Sequence, residues 1–271
     1  PEDTMCEMLE AVELIRFKYG FDGYIHLKIL PGTPYHQVKH ACELADRVSI
    51  NQEAPSQSFL AELSSQKDLK NDIITKQKWI SLLLAKQGKG KQTTQYVVGA
   101  ANETDLDILR AAYHSYRKLN MSRVYYSAFT PISDTPLENK PPTPKLREHR
   151  LYQADFLVRK YGFTLDDFQT MLNDEDMLPL SVDPKTAYAL ANKDLYPIDV
   201  NDADYWMLVK VPGIGLKTAK RILRYRRKVG PITSLRQLKD LGVIVSRALP
   251  FIKVNGWQNT LDIYVANLAY A

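Results

Sequence analysis

The stretch VPGIGLKTAKRIL, Val211 to Leu223, reads as two helices joined by a tight turn. Leu208 and Val211 close a short first helix. Pro212-Gly213-Ile214-Gly215 then makes a turn whose glycines serve unusual dihedrals or close backbone approach. Ala219, Ile222 and Leu223 recur at helical spacing and give the second helix its buried face. The turn therefore presents backbone N–H groups at a helix start, where an anion is favoured. Lys210, Lys217, Lys220, Arg221 and Arg224 surround it, so a phosphate is the fitting anion. Between Asp204 and Asp240 there is no acidic residue, while Lys210, Lys217, Lys220, Arg221, Arg224, Arg226, Arg227, Lys228, Arg236 and Lys239 are all basic. A one-signed field of this kind concentrates a polyanion. A structural hairpin with a solvated basic face is the alternative, as is a protein partner with an acidic face.

These residues resemble the helix-hairpin-helix module of DNA repair and DNA uptake proteins. The resemblance implies that Gly213 and Gly215 are hairpin glycines, Ile214 an apolar plug and Ala219 a close-packing small residue. It implies contact with the DNA backbone, without sequence reading, through Lys210, Gly213, Ile214, Gly215, Lys217, Thr218, Lys220, Arg221 and Arg224.

The chain has 271 residues, 45% of them hydrophobic, which suits one large domain plus a small one. A net charge of +5 and a pI near 9.0 are compatible with nucleic acid. Cys6 and Cys42 imply no disulfide framework, and a reducing, cytoplasmic setting fits them. No apolar run is long enough for a membrane and no signal peptide is visible. The sequence starts at Pro1 in what reads as a helix lead-in, and the expectation is that the natural beginning lies upstream.

Residues 5 to 19 read as an amphipathic helix stopped by Gly20. Ile25, Leu27 and Ile29 alternate with His26 and Lys28 as in a strand. A helix follows from about Pro34 to Ala45, then a short strand in RVSINQEAP, then helices over 56–63 and 70–87. TTQYVVGA is a strand ending at Gly99, Thr104 to Leu119 a helix with acids at its start, and RVYYSAF a further strand. This alternation means parallel strands covered by helices. No GxGxxG follows any strand, so a partial (β/α) barrel suits better than a dinucleotide fold.

Pro131, Pro136, Pro141, Pro142 and Pro144 mark 130–145 as a stretch that either wraps the barrel mouth or links domains. Leu146 to Lys160 is a long helix, and short helices broken by Pro179 and Pro184 fill 164–195. Asp199 or Asn201 caps the first hairpin helix. Leu241-Gly242-Val243 repeats the hairpin logic weakly and packs against the first hairpin. The tail from Gly256 to Ala271 is apolar and returns to cover a core. The expected domains are 1–130, an incomplete barrel; 131–198, a proline-rich and helical connection; and 199–271, an α-helical helix-hairpin-helix domain with its tail.

KYGFDGYIHLKILPG, RVSINQEAP, QTTQYVVGA, RVYYSAFTPISDTPL, REHRLYQADFLVRKYGF and DVNDADYWMLVKVPGIG occur in that order. Together they resemble a family of DNA modification or repair radical S-adenosylmethionine proteins, across essentially the whole chain. The resemblance implies an α/β fold, a radical S-adenosylmethionine type barrel incomplete at its N-terminus. It also implies S-adenosylmethionine and a [4Fe-4S] cluster on a CxxxCxxC motif. Cys6 and Cys42 cannot supply that motif, so this chain is expected to hold no metal and to be inactive as it stands. The implied chemistry is reductive cleavage of the cofactor to a 5′-deoxyadenosyl radical that abstracts hydrogen. A DNA repair protein is an implied partner.

The implied cofactor residues are His26 and Lys28, facing the cavity, with Ser49, Asn51 and Glu53 for the ribose and methionine end. Gln95 shares the cavity, Val98 and Gly99 meet the adenine, and Ser127 completes that pocket. VVGA departs from the stricter GxIxGxxE pattern. Arg147, His149 and Arg150 are a second phosphate contact or a charged helix face. The other functions to weigh are a non-catalytic DNA-binding scaffold with a decayed barrel and an RNA-modifying radical enzyme.

Overall fold

Four short strands, β1 (His26–Lys28), β2 (Arg47–Ser49), β3 (Gln92–Val98) and β4 (Arg123–Ala128), pair in parallel in the order β1-β2-β3-β4. This is a computed structural model, and it describes residues 2–258. The chain divides into two units, Pro1–Tyr152 and Gln153–Ala271. Neighbours in the sheet follow one another in sequence without the reversal of a doubly wound fold, which is how a barrel segment is built. Helix α1 (Glu2–Glu13) precedes β1 and passes into a π-helical turn, Leu14–Lys18. The crossovers are α2 (Tyr35–Leu44), then α3 (Gln57–Leu63) with α4 (Thr75–Gln87), then α5 (Asp105–Lys118). A π-helical turn, Leu69–Ile74, leads directly into α4.

Local chemistry explains the boundaries. Thr104 caps α5 in a reciprocal box with Asp107, so two otherwise orphaned N–H groups are satisfied. Pro34 is the N-cap of α2, and Ser56 accepts from Phe59 N–H at the start of α3. The strand expected across RVSINQEAP stops at Ser49. Beyond it the Gln52 N–H donates to Thr94 Oγ1 at 3.0 Å, and Thr94 Oγ1 donates to Ile50 O at 2.9 Å. Glu53 then turns into the left-handed region, φ 65°. Side chains have replaced ladder bonds there. Gln52 Nε2 donates to Gln77 Oε1 (2.8 Å) and Ser115 Oγ (3.2 Å), and the Tyr96 hydroxyl donates to Gln52 Oε1. This buried network ties the sheet to α4 and α5, with every named partner supplying what the other lacks.

The proline-rich stretch belongs to the first unit. Its ends close where the Thr143 N–H donates to Phe129 O at 2.9 Å, and Lys140 Nζ donates to Ala100 O at 2.5 Å. Helix α6 (Lys145–Lys160) follows, and the division between units falls inside it. Its first half seals the outer edge of β4. The Tyr152 hydroxyl accepts from Tyr126 N–H (3.1 Å) and donates to Tyr126 O (3.0 Å), and Glu148 accepts from Ala128 N–H at 2.7 Å.

The second unit contains α7 (Leu165–Gln169), α8 (Pro184–Ala191), α9 (Tyr205–Lys210), α10 (Leu216–Lys228), α11 (Leu235–Asp240) and α12 (Val245–Ala248). Pro184 does not break a helix; it opens α8 at the first turn, with Asp183 as N-cap. The expected all-helical domain also carries a small sheet of β5 (Ile198–Asp199), β6 (Ile252–Val254) and β7 (Trp257–Gln258). Ile198, Ile252 and Val254 are buried there and join the residues before α9 to those after α12. Asp204, not Asp199 or Asn201, caps α9 by accepting from Met207 N–H. Asn201 instead pairs with both main-chain groups of Ile232. The expected return of the tail lies outside the described residues from 259 onward.

Candidate nucleic-acid interface

Helices α9 and α10 pack through Leu208, Val209, Val211, Ile214, Ala219 and Ile222, each essentially buried. Only one of the two turn glycines is demanded by geometry. Gly213 has φ 82°, and a Cβ there would stand 2.5 Å from Ile244 O and 3.1 Å from Ala248 N. The Ile244 N–H donates to Gly213 O at 3.0 Å, so the second hairpin docks on the first turn as its sequence predicts. Gly215 is in ordinary extended geometry, φ −92° and ψ 171°, and a Cβ there would meet nothing nearer than the Tyr161 hydroxyl at 3.8 Å. The expectation that the glycines serve unusual dihedrals or close backbone approach therefore holds for Gly213 alone.

Gly215 matters for a different reason. As N-cap of α10 it offers no side-chain acceptor, whereas Asp183, Asp204 and Ser234 cap α8, α9 and α11. The Lys217 and Thr218 N–H groups of its first turn gain no acceptor from a capping side chain and can take an external one. The Leu216 N–H faces the Tyr161 hydroxyl; burial raises that phenol's pKa and this contact works against the rise. Lys217, Lys220, Arg221, Arg224, Arg227 and Lys228 are exposed along α10. Lys220, Arg224, Arg227 and Lys228 line a shallow groove with Leu223. The arrangement is an anion site with a cationic ridge leading away from it.

Two of the named residues have other duties. Lys210 donates to Asp167 Oδ1 at 2.8 Å and to the Tyr188 hydroxyl at 3.1 Å. Burial works against its charge, but those two partners lift its pKa above the ordinary lysine value. Its charge is therefore met within the unit by Asp167. Thr218 is buried and donates to Gly242 O at 3.1 Å, so it locks the two hairpins together. Arg221 points to Leu241 O at 3.4 Å while remaining exposed.

One residue of this neighbourhood was not read from the sequence. Lys185 Nζ donates to Ile214 O at 2.5 Å and lies 4.9 Å from the Tyr161 ring centroid. Burial, then the charge of Arg247, pushes its pKa down to about 7, with Asp183 opposing. The readable signal was a lysine in the first turn of a helix, where the dipole disfavours a cation.

The residues expected around a cofactor are distributed over the first unit. Sheet register places His26, Lys28, Ser49, Gln95 and Ser127 on one face, and His26 Nε2 lies 3.0 Å from Ser49 Oγ. Burial, then Arg47 and Lys28, lowers the His26 pKa. Val98 lies on the opposite, buried face. Asn51 is half-buried, and Glu53 acts through its main chain, bridging to Gln95 O and Val97 N–H. Gly99 does permit close approach, but to its own chain. A Cβ there would stand 2.0 Å from Thr143 Oγ1 and 3.1 Å from Arg147 Nη1. Its N–H donates to the Glu103 carboxylate. Arg147 is neither a phosphate contact nor a solvated helix face. It is 9% exposed and donates to Asp105 Oδ1 and Glu103 O, both at 2.8 Å.

The donors for an iron–sulfur cluster do not fit. Cys6 is exposed and bonded to Glu10, Cys42 is buried, and no group of three or more His, Cys, Asp or Glu residues that could hold a metal occurs among the described residues. Among the described residues no helix is long and apolar enough to cross a membrane.

A family model for the helix-hairpin-helix motif matches residues 195–249, which run from just before β5 through α9, α10, α11 and α12. No match was found among curated proteins or among solved structures. The second unit thus contains a helix-hairpin-helix domain, and the first is an α/β unit with a parallel sheet flanked by helices.

Proposed function

We propose that the protein binds DNA through its backbone, holding a phosphate at the hairpin turn without reading base sequence. The observation that carries this is the capless N-terminus of α10 at Gly215, lying in a matched helix-hairpin-helix domain and followed by six exposed cations along the same helix. Backbone N–H groups and lysines grip phosphate oxygens equally well on any duplex, so affinity is general and discrimination low. Ile214 supports this by filling the core beneath the turn, which gives the helix start a packed base. In this reading the α/β unit is a non-catalytic scaffold.

The test is the affinity of the full chain for two unrelated blunt duplexes at several salt concentrations. Lys217→Glu with Lys220→Glu lowers both affinities by similar factors and flattens each log-affinity against log-salt line by roughly one per lost phosphate contact. An unchanged affinity or slope in the charge-reversed protein assigns the hairpin a purely structural role.

A further inference from the structure

The phosphate reading of the hairpin is the premise here. Within the same unit stand three aromatic rings that no role so far uses, Phe156, Tyr205 and Trp206, together with Tyr161, which meets the Leu216 N–H. Trp206 is 55% exposed and Phe156 44%. The rings form two contacting pairs, Phe156 with Tyr161 at 5.7 Å between centroids and Tyr205 with Trp206 edge-on at 5.1 Å. The indole rests on main chain: a Cβ at Gly162 would lie 3.1 Å from Trp206 Cζ3. Tyr161, one residue earlier, brings its hydroxyl to Gly215 and faces the Leu216 N–H. The segment Tyr161–Gly162 therefore joins the exposed indole directly to the capless helix start.

Single apolar side chains on a protein surface need no explanation. A large flat ring fixed against backbone beside an anion site is a different arrangement, because the field of Lys217, Lys220, Arg221 and Arg224 selects what reaches it. The visitor is a polyanion, and the surface next to its phosphate is aromatic. A paired duplex keeps its base faces stacked on one another and offers the indole nothing. An unpaired nucleotide offers both groups at once, a phosphate for the N–H groups and a free π-face for the ring.

We propose that Trp206, supported by Tyr205 and Gly162, stacks an unpaired base of a DNA single strand whose phosphate is held at the Gly215 turn. The ligand class is thus DNA with single-stranded character, bound more tightly than blunt duplex. Tyr161 is a positioning residue that holds the two halves of the site together.

The experiment uses the full chain carrying Trp79→Phe and Trp257→Phe, which leaves Trp206 as the sole tryptophan. Its emission falls on adding a short oligothymidylate and is unmoved by a blunt duplex of equal length. Trp206→Leu, which keeps apolar contact with Gly162, lowers oligothymidylate affinity roughly ten-fold and leaves duplex affinity unchanged. Trp206→Phe restores most of the loss. Absence of quenching, or an equal loss for both ligands in Trp206→Leu, overturns the stacking. Lys217→Glu with Lys220→Glu separates the premise from the proposal. If it weakens both ligands while Trp206→Leu weakens neither, the phosphate site stands and the stacking falls. If it weakens neither ligand, the phosphate site falls and takes the stacking with it.

Discussion

Replacing Gly213 by alanine should damage the second unit far more than the same change at Gly215, two residues further along the same loop. At Gly213 the backbone has φ 82°, and an L-residue held in left-handed geometry costs about 1–2 kcal/mol. The new Cβ would also meet Ile244 O at 2.5 Å and Arg247 Cβ at 3.2 Å. Neither the carbonyl nor the helix behind it can swing aside, so overpacking adds about 1–3 kcal/mol. The two together come to roughly 2–5 kcal/mol, a large part of the stability of an ordinary small domain. At Gly215 the backbone is extended and the nearest atom to a Cβ is at 3.8 Å. Alanine there gains about 0.4–1 kcal/mol by restricting the unfolded chain, and gives part of it back as a poorer N-cap than glycine. The assay is urea unfolding of both variants, followed by far-ultraviolet circular dichroism. A Gly213→Ala protein within 0.5 kcal/mol of wild type, on the scale of surface substitutions, would refute the account of the turn. So would a Gly215→Ala protein as unstable as Gly213→Ala.

Three other outcomes follow from the same geometry. Gly215→Ser supplies the missing cap, so it should raise stability by a few tenths of a kcal/mol while lowering DNA affinity, because the hydroxyl competes for the N–H groups; paired unfolding and anisotropy titrations check it. Arg147→Ala strips the guanidinium from buried Glu103 and Asp105 and should cost about 3–5 kcal/mol, read from urea midpoints, with Arg147→Lys intermediate. Lys185 has a folded pKa near 7 against an ordinary value of 10.5, so the folded state sheds its proton first. Its contribution is complete above pH 10.5, falls as pH drops towards 7 and is flat below, and Lys185→Met should remove that rise in stability between pH 7 and 10.

Elements whose signals are local were legible in the sequence. Thr104 and Asp107 announce a helix start because the capping box uses only nearby atoms, and the alternation of Ile25, Leu27 and Ile29 with polar neighbours marks a strand. The parallel order of the four strands follows from the intervening helices alone. What escaped were positions decided by partners distant in sequence. Gly99 reads as a glycine opened to a ligand, but Thr143 and Arg147 fill that space. Lys210 reads as one more cation by the turn until Asp167, forty-three residues earlier, claims it. Gly213 and Gly215 look equivalent in Pro-Gly-Ile-Gly, and the left-handed backbone of Gly213 with the Ile244 carbonyl against it separates them. A single sequence contains the charge of the ridge but not the identity of the neighbour that neutralises one of its members.

The sealing of β4 by Tyr152 and Glu148 gives the parallel sheet a one-way character. A strand arriving on that side would find the Tyr126 and Ala128 amides already answered and would have to evict a phenol and a carboxylate before making its first rung. Removing the stopper with Tyr152→Phe and Glu148→Ala would unblock the β4 margin, and with that would come a tendency to self-associate through β4 that the parent chain resists.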